Sequence, residues 1–280
     1  MRVLGIDFTS APTARKPIVR AGGWLEEGGL VVDGLDRATS IGEFAQWLGE
    51  PGPWLAAIDF PLGLPRAALA GWRWPTAWEA YVRRAGKLSR EAFVGKIDAF
   101  RAARPPGKKH PRRAADVAAG AVSPLMTVGV PVGRMFHAGA PAVAASPASV
   151  VPCRLRADSR GVVEAYPALV ARHLWGRRPY KGESGADAQR RGVRAEATAA
   201  LQREAWRAGP YGMAVRLTRD VAAAAEGDPR GDVLDAVFAC VQAGWLAAHR
   251  DRLEALAGCD PVEGWIADPR VLPAASGRRG

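Results

Sequence analysis

Short apolar runs that stop at a carboxylate mark the first sixty residues. Val3-Leu4-Gly5-Ile6 ends at Asp7, and Trp54-Leu55-Ala56-Ala57-Ile58 ends at Asp59. Both runs, spanning residues 2–8 and 54–60, are too short for helices and read as buried strands. Residues 18–25 and 29–33 read as two more strands, joined by a turn at Glu26-Glu27-Gly28. Ser40 is placed as a helix N-cap, with Glu43 completing a capping box for a helix to about Leu48. The strand that ends at Phe60 is stopped by Pro61-Leu62-Gly63-Leu64-Pro65.

Farther along, the pattern turns helical. Residues 75–103 carry Trp78, Tyr81, Val82 and Leu88 among their apolar positions. Residues 104–113 form a basic, proline-punctuated loop, and residues 120–152 show no period that assigns them. Val162–Tyr166 predicts a strand stopped by Pro167. Helical patterns then occupy 168–175, about 186–207, and 231–249, with a last short strand at 264–266. A meander of strands followed by strand–helix alternation predicts an α/β fold, a mixed sheet flanked by helices. No linker divides the chain, so one domain is expected over 1–268, with a largely helical insertion at about 70–150. A disordered tail is expected over 269–280.

Composition narrows the chemistry. Hydrophobic residues make up 48% of the 280 positions, enough for a sizeable core, and no apolar run approaches a membrane span. The chain opens directly into its first strand pattern, which reads as a cytoplasmic protein and not as a signal peptide. Cys153, Cys240 and Cys259 have neither disulfide-framework nor zinc-site spacing, so any metal here would take oxygen ligands, as Mg2+ or Mn2+ does. The formal charge of +11 suits a polyanionic partner. Only six of the 39 basic residues are lysine.

The carboxylates are the strongest chemical candidates. Asp7 and Asp59 sit at the carboxyl ends of strands, where α/β sheets gather their ligands. Asp232 and Asp235 are spaced by three, which puts both on one face at the start of a helix whose remaining residues are almost purely apolar. That helix must be buried against the sheet. If it crosses near the two strand ends, all four carboxylates converge, and divalent cations relieve the repulsion. Asp232 has a second role open to it, complementing the helix dipole.

Four segments carry a resemblance: Gly5-Ile6-Asp7-Phe8-Thr9-Ser10, Ala57-Ile58-Asp59-Phe60-Pro61-Leu62-Gly63, Glu164-Ala165-Tyr166-Pro167 and Gly231-Asp232-Val233-Leu234-Asp235-Ala236. Together, over about residues 2–250, they resemble the DUF429 family, whose members are uncharacterised proteins expected to be ribonuclease H-like nucleases. The two-aspartate helix is also similar to the last motif of the RuvC-type Holliday-junction resolvases. The resemblance implies a ribonuclease H-like sheet and metal ligation by Asp7, Asp59, Asp232 and Asp235. It adds Glu164 as a further acidic residue of the centre and Lys181, in Tyr180-Lys181, as a phosphate contact. Thr9, Ser10 and the loop residues Lys108, Lys109, Arg112 and Arg113 are further candidate phosphate contacts.

The function expected is divalent-metal-dependent hydrolysis of DNA or RNA. Two alternatives stay open from sequence. One is an actin-like or sugar-kinase-type phosphotransferase, whose first strand also ends in aspartate near a hydroxyl residue. The other is a nucleic-acid-binding protein without activity.

Overall fold

A computed structural model of the chain describes residues 1–182 and 187–274. Its strands are β1 (Arg2–Asp7), β2 (Ile18–Glu26), β3 (Gly29–Ala38), β4 (Trp54–Ile58), β5 (Ser149–Val150), β6 (Arg160–Glu164) and β7 (Val215–Leu217). Among the described residues they form one sheet in the order β5-β6-β4-β1-β2-β3-β7. The β1–β2 and β2–β3 pairs are antiparallel, whereas β4 is parallel to both β1 and β6. The run β3-β2-β1-β4-β6 is the meander followed by parallel strands that the sequence predicts.

Helices cover both faces. They are α1 (Ile41–Gly49), α2 (Arg66–Gly71), α3 (Trp78–Gly86), α4 (Arg90–Ala102), α5 (Ala114–Ala119), α6 (Val132–Ala145), α7 (Pro167–Trp175), α8 (Asp187–Leu201), α9 (Glu204–Arg207), α10 (Arg219–Gly227), α11 (Asp232–Ala248) and α12 (Arg250–Ala257). Strand alternation sorts the core into two layers. Val3, Leu55, Ala57 and Val163 face the layer built on α11, while Leu4, Ile6, Ala56, Ile58 and Val162 face the layer of Phe44, Tyr81, Phe93 and Phe136. Residues of the 70–150 insertion thus share a core with the sheet.

Several expectations change in detail. The helical stretch 75–103 is two helices, because the Ser89 hydroxyl accepts from Ala92 N at 3.1 Å and starts a new N-terminus. The unassigned region contains α6, which tolerates Pro141 in its interior. The span 186–207 divides into α8 and α9, and α2, β7 and α10 are further elements that the periodicity does not reveal. At α1 the Ser40 cap is present, but Glu43 reaches the backbone of Thr39 instead of Ser40. The strand expected at 264–266 is a single bridge from Ile266 to Glu164.

The disordered tail is corrected for its described part. Arg270 Nη1 donates to Leu169 O at 2.9 Å, and Leu272 packs into the α11 core. Residues 275–280 lie outside the described residues. No helix among the described residues is long and apolar enough to cross a membrane.

Candidate metal centre

The register of β1 and β4 does the first work of assembly. Ile6 pairs with Ile58, so Asp7 and Asp59 stand side by side at the carboxyl ends of adjacent parallel strands. Asp59 N donates to Ile6 O at 2.9 Å and locks that offset. By alternation, Asp7 and Asp59 belong to the same side as Val3, Leu55 and Ala57, which is the α11 side. There α11, buried from Asp232 to Leu246, lies directly on β1, and its first turn brings Asp235 to the strand ends. The contact is so close because Gly5 has no side chain; a Cβ there would overlap the backbone of Ala236 and Cys240.

One carboxylate oxygen from each of Asp7, Asp59 and Asp235 lies within 4.8 Å of the others. The electrostatics follow from that crowding. Burial, then the neighbouring charge of Asp235, hold the Asp7 carboxyl well above the usual carboxylate range, with Lys181 opposing. Asp59 is pushed up to about 7 by burial first and by Asp235 second. Asp235 has both oxygens engaged, accepting from Tyr180 Oη at 2.5 Å and pairing with Lys181 Nζ. Burial works against the Lys181 charge, but Asp235 and Asp7 outweigh it and hold the ammonium protonated above the ordinary lysine range.

The Tyr180-Lys181 step is itself held in place. Buried Arg194 donates to Tyr180 O at 2.9 Å and to Glu226 O at 2.9 Å, and Gly182 N donates to Pro229 O at 2.8 Å. Gly231, with φ at 72°, lies under both side chains, where a Cβ would press on Lys181 Cγ and the Tyr180 ring. Arg194 carried no legible signal in sequence, since its long side chain reads as a solvated arginine.

The remaining predicted residues fall differently. Asp232 does not join the three; it pairs with Arg230 Nε at 2.9 Å in the first turn of α11. Glu164 also stays apart, for a reason of phase. It pairs in register with Ile58, one residue before Asp59, and so projects to the opposite face of the sheet. There it forms a two-pronged ion pair with Arg113, at 2.6 and 2.8 Å, and accepts from Leu62 N at 2.8 Å. Burial raises the Glu164 pKa, with Arg113 opposing.

Arg113 is corrected with it. Expected on an open basic loop, it is 1% exposed, and all its guanidinium nitrogens are spent on Asp116, Glu164 and Glu263 O. Lys108, Lys109 and Arg112 are exposed as expected. Thr9 and Ser10 follow Asp7 in irregular, half-buried chain.

The donor set fits a hard divalent cation: three small carboxylates on rigid elements, two of them held in reach of protonation until a stronger positive charge than the Lys181 ammonium displaces the proton. Compared with protein families, residues 5–258 match the model of DUF429, described as "Protein of unknown function (DUF429)". No curated protein and no solved structure matches the chain. Matched over almost its whole length, with the four motif segments at the strand ends, beside them and at the α11 N-terminus, the chain belongs to the DUF429 family.

Proposed function

We propose that this protein hydrolyses phosphodiester bonds of nucleic acid, with Mg2+ or Mn2+ held by Asp7, Asp59 and Asp235, and acts in the cytoplasm. The observation that carries the reading is the convergence of those three carboxylates within 4.8 Å on the face of the sheet covered by α11. A divalent ion held there would supply Lewis acidity for phosphodiester hydrolysis. The chain's own residues do the rest. Asp7 and Asp59, fixed by strand register, orient the ion against the sheet, while Asp235 closes the set from the helix. Lys181, half-exposed at the rim, supplies a mobile positive charge that can leave Asp235 for a phosphate oxygen. Thr9 and Ser10 offer hydroxyls beside Asp7, and Lys108, Lys109 and Arg112 offer charge for the nucleic-acid backbone. The net charge of +11 favours such a substrate.

The test is cleavage of labelled single-stranded, duplex and hybrid oligonucleotides with Mn2+ or Mg2+, and with a chelator. Metal-dependent cleavage that disappears in Asp7→Asn and Asp235→Asn supports the reading. Cleavage retained in those variants, or none by the wild-type protein, refutes it.

A further inference from the structure

A cleft of about 160 Å³ opens beside Asp59, on the β6 side of the carboxylates. Its floor is Phe60, Pro61 and Tyr166, and its other wall comes from the insertion, through Val122, Val130 and Met135. The insertion therefore reaches the strand ends from which Asp59 projects.

Of the three carboxylates at this cleft, Asp116 and Glu164 are tied up in a buried network, and the third is Asp59 of the acidic cluster itself. Asp116 and Glu164 both accept hydrogen bonds from the one buried guanidinium of Arg113, whose nitrogens have no bond left to give. Tyr166 Oη accepts from Arg172 Nη2 at 3.1 Å, and the same guanidinium lies 5.3 Å from the ring centroid, which fixes the ring at the cleft edge. Apart from Asp59, what lines the cleft without a polar group to spare is apolar and aromatic. Val122 and Val130, 42% and 55% exposed, place two apolar side chains together at its lining. A phosphate finds no free donor here. The apolar faces of a flat ring do find contact, and the volume is well below the roughly 300 Å³ at which drug-sized sites begin, so it takes one ring system whose polar edge stays toward the opening.

We infer that this cleft receives a single unstacked nucleobase of the substrate, next to the phosphate that a cation held by Asp7, Asp59 and Asp235 would bind. The inference rests on the hydrolytic reading for its neighbouring phosphate, and it makes single-stranded nucleic acid, or a strand with an unpaired base, the substrate class. A base inside a duplex cannot reach a slot of this kind without leaving the stack, whereas an unpaired base lies flat between apolar and aromatic walls at little penalty.

The experiment uses the full chain with Mn2+ and three labelled substrates: a single strand, its duplex, and the strand with one abasic residue placed in turn around the cut. The single strand is expected to be cut at least tenfold faster than the duplex, and one abasic position to slow the neighbouring cut by a similar factor. Val130→Trp and Val122→Glu, which fill or charge the cleft from exposed positions, are expected to remove that discrimination. Val117→Trp, exposed on α5 outside the cleft, is expected to keep it. Equal cutting of duplex, single and abasic strands overturns the inference, as does unchanged discrimination in both cleft variants. If the wild-type protein cuts nothing, the hydrolytic reading fails by itself, and a binding titration still decides the cleft. A single strand carrying 2-aminopurine, titrated with protein in Ca2+, should show a saturable fluorescence change that Val130→Trp abolishes. No change with the wild-type protein, or the same change with Val130→Trp, overturns base binding.

Discussion

Gly5 of β1 and Cys240 of α11 meet backbone to backbone, with Cys240 Sγ donating to Val3 O at 3.8 Å beside them. This contact sets how near Asp235 comes to Asp7, because both carboxylates ride on the two elements it joins. Gly5→Ala is expected to push α11 off the strand, destabilising the fold by about 1–3 kcal/mol or more, as overpacking does. Urea unfolding measures that loss, and calorimetry should show weaker Mn2+ binding in the same variant. Wild-type Mn2+ affinity in Gly5→Ala would show that the contact does not govern the centre.

The three converging aspartates should separate sharply from the fourth. Asp7→Asn, Asp59→Asn and Asp235→Asn are each expected to lower Mn2+ affinity by at least the roughly 10–100-fold seen when only supporting groups of a metal site are removed. Asp232→Asn, whose side chain is engaged by Arg230, should lower it by less. Calorimetric titration of the four variants checks the ranking.

Acid should strengthen the metal-free protein and weaken metal binding. The Asp59 pKa is about 7 in the folded chain against an ordinary 3.8, and Asp7 is raised as well. Between about pH 4 and 7 the folded state therefore holds more protons than the unfolded state, and stability falls as pH rises through that window. Melting temperature in chelator should drop from pH 5 to pH 7.5, and less steeply in Asp59→Asn. Mn2+ must displace those protons, so its affinity should rise about tenfold or more from pH 5.5 to 8.

Lys181 neutralises part of the acidic cluster when no metal is bound. Lys181→Met is expected to destabilise the metal-free protein by about 1 kcal/mol, a modest value because the side chain is half-exposed. The same variant should gain more from added Mn2+, since a competing cation is gone. Thermal melts with and without Mn2+ read both effects; an unchanged Mn2+ increment would argue against competition.

The Arg113 network should matter far more to folding. Arg113, Asp116 and Glu164 are all buried, and Arg113→Leu leaves two carboxylates without their cation. A loss of about 3–5 kcal/mol is expected in urea unfolding, as for other broken buried pairs. Glu164→Gln keeps the hydrogen bond from Leu62 N within reach and should be milder.

By itself the sequence determined the strands that end in Asp7 and Asp59, the mixed order of the sheet, and the burial of the helix that carries Asp235. Those features are local: apolar runs of strand length, turn residues, and a helix apolar on nearly every side leave few alternatives. It also singled out the segments that carry Asp7, Asp59 and Asp235, which the fold brings together. Short elements such as α2, β5 and β7 escaped it, because a few residues do not establish a period.

Only the tertiary structure decided which carboxylates meet. Asp7 and Asp59 are neighbours through the Ile6–Ile58 register, and Glu164, one residue out of phase, faces the other side of the sheet. Asp232 and Asp235 look equivalent in sequence, yet Arg230 takes one and the centre takes the other. Arg113, read as a phosphate contact on a basic loop, is a buried counter-ion. Pairings of this kind depend on strand register and on partners far apart in the chain, to which local hydrophobic pattern is blind.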